Sequence, residues 1–371
     1  MSPPKSVSLR PRGYFAGQVS DDLVAVRRKA QVPTILDVAA EAGVSKSTVS
    51  NVVRGADGVA DATRERVLEA VRRLNYKPNR VARQFVEQRT TILGVLMGDL
   101  GNPYYAQMAR VVERQAFGRG YTTIFCNIEG EDEIAVADVE ALLEHRIAGI
   151  VSLAFTGRTP QLDESLRRAD VPIVFLGLRE RWGDSVGPQD HAGARLAVEH
   201  LLELGHRRVA YVRTPLVEHS GDRARYAGYR SALRKAGMPT LPALTWEPGS
   251  RTVRVGRRTT SLSDVLHGSE RPTALFVSND IAAIAMMEAC ERVGFAVPKA
   301  LSVVGFDDIA IAGLQRISLT TVAQPLEFQA EVAVSLLLER IEEPWLEPRR
   351  VSARVELRVR GSTAPPQARD N

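Results

Sequence analysis

The sequence predicts a two-part α/β protein, in which a small all-helical unit precedes a larger core of parallel sheets covered by helices. Two observations predict this fold class. Between Thr34 and Arg83, apolar residues recur at helical spacing, with glycines at the expected turns. From residue 91 onward, short runs rich in Val, Ile, Leu and Phe alternate with helical stretches, which is the pattern of parallel sheets buried on both faces.

A helix-turn-helix is predicted at the start of the first unit. Its first helix has an apolar stripe and ends at Gly43, where a positive φ angle costs glycine little. Ser45 is a suitable N-cap for the second helix, which turns its valines inward. The side chains left on the open face are Lys46, Ser47, Ser50 and Asn51. Side chains of these types reach base edges in the major groove, and asparagine pairs with adenine.

A third helix is predicted from Asp61, a reasonable N-cap, to about Leu74. Its expected buried stripe is Val67, Leu68, Val71 and Leu74. The arginines outside that stripe would, by themselves, indicate only a solvated face. The turn glycine, the caps, the valines and the polar face agree in register, and this agreement favours a DNA-reading unit.

The net positive charge of the chain is confined to its N-terminal part. Residues 1–90 carry 16 Lys and Arg against 9 Asp and Glu, whereas the rest of the chain carries 33 against 35. Phosphate attraction requires positive charge where nucleic acid binds. A basic tail without a specific partner would give the same balance, so charge alone favours nucleic acid only weakly. Residues 1–32 are expected to be a disordered basic extension.

Composition and motifs disfavour several classes of protein. No apolar run is long enough to cross a membrane, and no secretory signal is recognised, so we expect no membrane partner and a cytoplasmic, nucleoid-associated protein. Cys126 and Cys290 are expected to be reduced, packed thiols. The histidines lack metal-ligand spacing, and no phosphate-loop or nucleophile-elbow string occurs. We therefore expect no metal, no cofactor and no enzyme.

Seven apolar runs are predicted as strands of one large sheet or two smaller ones, with a break near residues 185–192. They are Ile92–Met97, Thr122–Cys126, Gly149–Leu153, Ile173–Leu176, Val209–Val212, Ala274–Val277 and Ser302–Phe306. His206 follows Gly205 at a helix end and is interpreted as structural. The chain end, residues 361–371, is expected to be frayed, with a tail at 364–371.

Polar and aromatic residues near the ends of these strands predict a small-molecule site, because ligands bind at the carboxyl ends of strands in open α/β sheets. The candidates are Asn102, Tyr104, Asp190, Arg225, Trp246, Asn279, Asp307 and Gln324. Such residues suit a hydroxyl-rich molecule, whose apolar face stacks on aromatic rings. Each residue also has an alternative role that involves no ligand. Asn279 and Asp307 could cap helices, Arg225 could be a surface residue, and Trp246 could pack within a loop.

The segments DVAAEAGVSKSTVSNVV, VADATRERV and LNYKPNRVAR resemble, nearly residue for residue, the DNA-binding headpiece of the lactose-repressor family of bacterial regulators. In the core, NPYY, RYAGY, WEP, SND, GFDD and LTTVAQP occur where family motifs are expected. The resemblance implies a headpiece at 33–78, a hinge at 79–90 and, at 91–363, a two-lobed effector-binding core like that of periplasmic sugar-binding proteins. It also implies that the chain recrosses between the lobes near 320–326.

The resemblance implies particular DNA contacts. Operator-selecting positions match Lys46, Ser47 and Asn51, and an arginine is common in the family where this chain has Asn51. The family's hinge pushes an apolar side chain into the minor groove, and the matching residue is Phe85, which could instead pack in the hinge or against a partner chain. The implied DNA-contacting set is Thr34, Ser45, Lys46, Ser47, Thr48, Ser50, Asn51, Thr63, Tyr76, Asn79, Ala82 and Phe85.

In relatives, the positions matching Arg225, Asp307, Asp190 and Trp246 commonly hold the effector. The chain departs from the family at Gly177-Leu178, where Asp-Arg is frequent, and at Asp190-His191, where Asp-Asn is usual. Both departures adjoin the implied pocket, so the identity of the effector does not carry over from the family.

The expected function is that of a transcriptional regulator of the repressor type. It binds a near-palindromic operator in double-stranded DNA as a homodimer, with a tetramer left open, and a small polar effector, a sugar or sugar derivative, controls its operator affinity. The alternatives are a sugar-binding transport protein, which has no use for a headpiece, and an effector-independent DNA-binding protein. An α/β enzyme would need a catalytic constellation that the sequence lacks.

Overall fold

The computed structural model describes residues 33–54, 56, 58–76, 90–128, 132–153, 160–177, 182–215 and 220–367. The chain divides into two units, residues 1–88 and residues 89–371. The described part of the first unit is helical, and the second unit contains two β-sheets with helices against them. The predicted fold class is therefore confirmed. No helix among the described residues is long and apolar enough to span a membrane.

The first unit is built on three helices, α1 (Ile35–Ala42), α2 (Lys46–Arg54) and α3 (Asp61–Arg73). A capping box begins α1: the Thr34 hydroxyl accepts from the Asp37 backbone N–H, and the Asp37 carboxylate accepts from the Thr34 N–H. The helix ends at Gly43, whose φ angle of 63° favours glycine. Each helix contributes one completely buried valine to the small core: Val38, Val49 and Val67.

The third helix differs from its prediction at its start and in its stripe. Asp61 is the first helical residue, and the N-cap is Ala60, which has no side-chain capping bond. Leu68 is exposed, whereas Ala70 is buried. At 3.6 residues per turn, the face centred on Val67 includes position 70, while position 68 is rotated away from it by about 100°.

The first sheet of the second unit is entirely parallel. Its strands are β1 (Ile92–Met97), β2 (Thr122–Asn127), β3 (Gly149–Leu153), β4 (Ile173–Leu176), β5 (Asp184–Pro188) and β13 (Arg350–Ala353). Their order across the sheet is β13–β5–β4–β3–β1–β2. Its helices are α4 (Pro103–Phe117), α5 (Asp132–Glu144), α6 (Pro160–Arg168) and α11 (Leu326–Glu342).

The second sheet is mixed. Its strands are β6 (Val209–Arg213), β7 (Leu244–Trp246), β8 (Thr252–Val255), β9 (Arg258–Ser261), β10 (Ala274–Val277), β11 (Ser302–Asp307), β12 (Thr320–Ala323) and β14 (Glu356–Arg358). Their order is β14–β12–β11–β10–β6–β7–β8–β9. Pairing is parallel from β12 to β7, but β14, β8 and β9 pair antiparallel with their neighbours, so the expected parallel arrangement is wrong at both edges.

The other α-helices of the described residues are α7 (Asp190–Glu203), α8 (Ser220–Lys235), α9 (Leu262–His267) and α10 (Asp280–Arg292), and a short 3-10 helix spans Ala310–Gly313. The chain passes between the two sheets after β5, after β12 and after β13. The third passage was not predicted, because β13 and β14 are short edge strands with alternating exposure. They lack the continuous apolar run that marks a buried parallel strand.

The expectation of a frayed chain end is wrong for residues 361–367. The Ser362 hydroxyl donates to the Val303 carbonyl at 2.6 Å and accepts from the Thr320 N–H at 2.8 Å. The buried His206 ring lies 2.9 Å from the Ala364 carbonyl through Nε2. These polar contacts hold residues 361–367 in place. The composition of the segment does not reveal them. They agree with the structural interpretation of His206.

We predict that replacing His206 by Gln reduces the loss in free energy of unfolding that occurs when the pH is lowered. Burial lowers the pKa of His206 below its ordinary value of 6.5, although the bond to the Ala364 carbonyl raises it. The unfolded chain therefore takes up the proton first, and the wild type loses stability as the pH falls below about 6.5. Glutamine keeps a donor and an acceptor but does not titrate.

The measurement is the difference in free energy of unfolding between wild type and His206→Gln, in urea at about pH 7.5 and about pH 5.5. This difference should shrink at the lower pH. A difference that stays constant or grows would show that protonation of His206 does not destabilise the fold.

Candidate functional site

The first candidate site is the exposed polar face of α2. The Ser45 hydroxyl accepts from the Thr48 N–H at 3.1 Å, so Ser45 caps the helix as predicted. The same oxygen lies 2.7 Å from the Ser47 hydroxyl and 2.8 Å from the Thr48 hydroxyl. Lys46 and Ser47 are exposed, and Ser50 and Asn51 are half-buried on the helix. The structure thus brings the predicted base-reading residues onto one short helix.

The other residues predicted to contact DNA lie outside α2, and three of them are described by the structure. The Thr34 hydroxyl belongs to the α1 capping box. Thr63 is half-buried on α3, and Tyr76 packs against the core of the first unit. The remaining predicted contacts lie outside the described residues: Asn79, Ala82 and Phe85.

The second candidate site is a charge cluster at the carboxyl edge of the second sheet. The side chain of Arg225, on α8, is only 9% exposed. Its Nε donates to Asp190 Oδ1 at 2.8 Å, and its Nη1 donates to the Ser278 carbonyl at 2.5 Å. Asp307 Oδ1 lies 3.8 Å from Nη1, and Cζ lies 3.7 Å from the Phe306 ring centre. Because a buried charge requires such partners, this arginine fixes the geometry of the cluster.

Burial opposes the charge of Arg225, but Asp190 and Asp307 raise its pKa above the ordinary value, so the guanidinium stays protonated. Burial also raises the pKa of the Asp307 carboxyl, and the neighbouring Asp280 raises it further, while Arg225 and a hydrogen bond from Gln324 lower it. Perturbed carboxyl groups at a strand end are typical of a binding site.

The turn after β11 holds two consecutive residues in left-handed conformations. The φ angles are 127° for Asp307 and 58° for Asp308, where residues other than glycine are strained. The buried Asp280 fixes the turn: its Oδ2 accepts from the Ile309 N–H at 2.9 Å, and its Oδ1 accepts from the Thr321 hydroxyl at 2.5 Å. The turn is thereby held with the Asp307 carboxyl beside Arg225.

Polar contacts at this edge join both lobes of the second unit. Gln324, which follows β12, donates to Asp307 Oδ1 at 2.7 Å and accepts from Gln329 at 3.3 Å. The Tyr104 hydroxyl, on α4 of the first lobe, lies 3.4 Å from the Gln324 side-chain oxygen. The structure therefore brings five of the predicted candidates into one network: Tyr104, Asp190, Arg225, Asp307 and Gln324.

Three predicted candidates make other contacts. Asn102 caps α4, accepting from the Tyr104 N–H, and Asn279 caps α10, accepting from the Ala282 N–H. Trp246 is completely buried, and its indole N–H donates to the Ser250 carbonyl at 3.0 Å. The alternative role of Asp307 as a helix cap is wrong, because its carboxyl group faces Arg225 and Gln324.

Sequence reasoning missed a second arginine at the same edge. Arg213 ends β6, and its Nε lies 3.5 Å from the buried carboxylate of Asp222 on α8. Its guanidinium stacks on Tyr226, with Cζ 4.8 Å from the ring centre. The sequence does indicate Arg213 as a candidate, because it directly follows the predicted strand Val209–Val212. Asp280 was missed because its role depends on a turn that the sequence does not reveal.

Comparison with known proteins gives matches over both units. The model of the lacI family of bacterial regulatory proteins matches residues 34–79, and that of periplasmic binding protein-like domains matches residues 198–363. The ribose operon repressor of Escherichia coli (strain K12) is 34% identical over 331 residues, which cover 89% of this chain and 99% of the relative.

Solved structures of similar transcriptional regulators superpose on most of this chain. The lac repressor dimer bound to operator and the anti-inducer ONPF superposes with a TM-score of 0.76 at 29% identity, covering 90% of this chain and 99% of that one. The complex of the transcriptional regulator CelR with cellobiose superposes with a TM-score of 0.63 at 29% identity, covering 89% and 99%.

We predict that Thr321→Val destabilises the protein by about 1–3 kcal/mol, because it leaves a buried carboxylate oxygen of Asp280 without its donor. Thr321→Ser, which keeps the hydroxyl, serves as the matched control and should lose clearly less. Urea unfolding at neutral pH measures both. Equal losses for the two variants would mean that the hydroxyl does not hold Asp280.

Proposed function

The chain belongs to the lacI family of bacterial regulatory proteins, and we propose that it is a repressor whose operator affinity is set by a small polar effector bound at the Arg225 cluster. The observation that carries this proposal is the combination of a polar face on α2 with a buried charge cluster at the carboxyl ends of the parallel strands of the second sheet. The chain acts by binding, as the repressors it is similar to do, and not by catalysis.

On the DNA side, α2 enters the major groove. Lys46, Ser47 and Asn51 read base edges, while Ser45 and Thr48 contact phosphates. The basic charge of residues 1–90 strengthens binding without regard to sequence. Phe85, outside the described residues, acts as a wedge in the minor groove, where unstacking a base step is offset by bending DNA onto more protein surface.

On the effector side, the cluster supplies a donor and an acceptor at adjacent positions. Arg225 Nη2 and Asp307 Oδ2 have no hydrogen-bond partner within the described ranges, although their partner atoms Nη1 and Oδ1 are engaged. Neighbouring hydroxyls of a sugar both donate and accept, so they complement this pair. The cellobiose in the CelR complex and the name of the ribose operon repressor support a carbohydrate.

The proposed mechanism is a population shift. An effector that contacts Tyr104 from one lobe and Asp307 from the other favours one angle between the lobes. That angle sets the spacing of the two hinge segments in a homodimer, and thereby operator affinity. Two headpieces on a two-fold axis meet two half-sites of a near-palindromic operator, which locates the protein on the nucleoid in the cytoplasm.

We predict that Asn51→Ala weakens binding to the operator far more than binding to random DNA, because a lost base contact costs about 1–3 kcal/mol of discrimination. Arg66→Ala, on an exposed part of α3, is the control and should change both affinities alike. Fluorescence anisotropy at fixed salt measures them. Equal losses on both DNAs for Asn51→Ala would remove Asn51 from base reading.

We predict that a panel of pentoses, hexoses and disaccharides contains a compound that raises the melting temperature of the full chain. A ligand at about 100 times its Kd stabilises the folded state by about 2.7 kcal/mol. Arg225→Lys should abolish the shift, because lysine lacks the fork that spans Asp190 and the Ser278 carbonyl. Arg230→Lys, exposed on the same helix, should preserve it. A full shift in Arg225→Lys would contradict the proposed site.

A further inference from the structure

Arg213 is a largely buried cation whose hydrogen-bonding capacity is unused. Its side chain is 16% exposed. Nε is shielded from solvent and donates no hydrogen bond within the described part of the chain. The terminal nitrogens likewise have none among those residues. Among the described residues, the group is held by a looser ion pair with Asp222, at 3.5 Å, and by the rings of Tyr226 and Tyr211, whose centres lie 4.8 Å and 5.6 Å from Cζ.

A purely structural ion pair would be better satisfied. The chain contains one for comparison: Arg340 donates from Nε to Asp184 at 2.8 Å and from Nη1 to the Leu346 carbonyl at 2.6 Å. The guanidinium of Arg213 is instead positioned by an aromatic face and a carboxylate while its terminal donors remain available. Unmet donors on a partly buried cation are costly, so the site is poised for an acceptor.

Arg213 lies close to the proposed effector site. It ends β6, and the neighbouring residue Val212 accepts from the Ser278 N–H at 2.8 Å, while the Ser278 carbonyl anchors Arg225. On α8, Asp222 and Arg225 are three residues apart, which places their Cβ atoms about 5–6 Å apart on one helix face. Arg213 and Arg225 are therefore joined through neighbouring residues on two sides, by the β6–Ser278 contact and by one turn of α8.

Ion pairing at this edge leaves room for an anion at Arg213. The carboxylates of Asp190 and Asp222 pair with Arg225 and Arg213, and burial raises the pKa of Asp307, which opposes a further negative charge there, although Arg225 lowers it. A guanidinium fork binds the paired oxygens of a phosphate or carboxylate in bidentate fashion, which a single hydroxyl cannot match.

We propose that the effector is an anionic sugar, carrying a phosphate ester or a carboxylate, and that Arg213 binds its oxyanion while the Arg225 cluster binds its hydroxyls. This inference rests on the proposed effector site and adds its ligand class. Arg213 is thus a specificity-determining residue: it selects charged over neutral sugars.

The test is isothermal titration of the full chain with D-ribose and D-glucose, with their phosphate monoesters at the terminal hydroxyl, and with ribonate and gluconate. For at least one parent sugar, an anionic derivative should bind about tenfold or more tighter than the neutral compound, as expected for charge-assisted bonds. Preference for the phosphate ester or for the aldonate identifies the source of the oxyanion, and either result supports the proposal.

Arg213→Gln should bring the affinities of the anionic and neutral sugars to within about threefold and leave the neutral sugar's affinity nearly unchanged. Arg223→Gln, an exposed arginine on α8, removes the same charge and should keep the preference. If Arg213→Gln does not fold, Arg213→Lys replaces it: the ammonium keeps the charge but not the fork, so the preference should fall by about threefold.

Three results would contradict the proposal. If neutral sugars bind and their anionic derivatives bind no better, the ligand class is wrong while the proposed effector site stands. If the anionic preference exists but persists in Arg213→Gln, Arg213 does not read the oxyanion. Binding of no compound in the set would count against both the anionic class and the proposed carbohydrate effector.

Discussion

The second unit depends on one constraint: the buried positive charge of Arg225 must be neutralised and hydrogen-bonded. Its partners come from separate parts of the chain, with Asp190 at the start of α7, Ser278 after β10 and Asp307 at the end of β11. The guanidinium therefore holds three strand and helix ends in one arrangement, because losing any partner would leave a charge buried without compensation. This arrangement is the preformed geometry on which the proposed effector site at the carboxyl edge of the second sheet depends.

The strained turn and the contacts between lobes follow from the same requirement. Asp307 can face Arg225 only if the chain turns sharply after β11, and Asp280 holds that turn through the Ile309 N–H. Gln324 then connects Asp307 to Tyr104 of the other lobe. In the proposed mechanism, a ligand that competes for these groups acts on both lobes at once, and this couples it to the spacing of two DNA-binding headpieces.

Much of this organisation was predictable from sequence, for identifiable reasons. Buried parallel strands such as Val209–Val212 are continuous apolar runs, and the first helix ends at a glycine with a left-handed φ angle, so local patterns were sufficient. The edge strands and the segment around Ser362 were not predictable, because partners distant in sequence determine them. Strand-end position is a sufficient signal for Asp307, which ends β11, and for Arg213, which ends β6, whereas Arg225 lies within α8.

We propose that ligand binding at the Arg225 cluster and operator binding by the headpiece are energetically coupled. The most direct measurement is the Kd for operator DNA with and without a saturating sugar that stabilises the full chain, together with the Kd for that sugar with and without saturating operator. Thermodynamic linkage requires both affinities to change by one common factor, which we expect to be about fivefold or more. An operator Kd that does not change in the presence of a bound sugar would contradict the account.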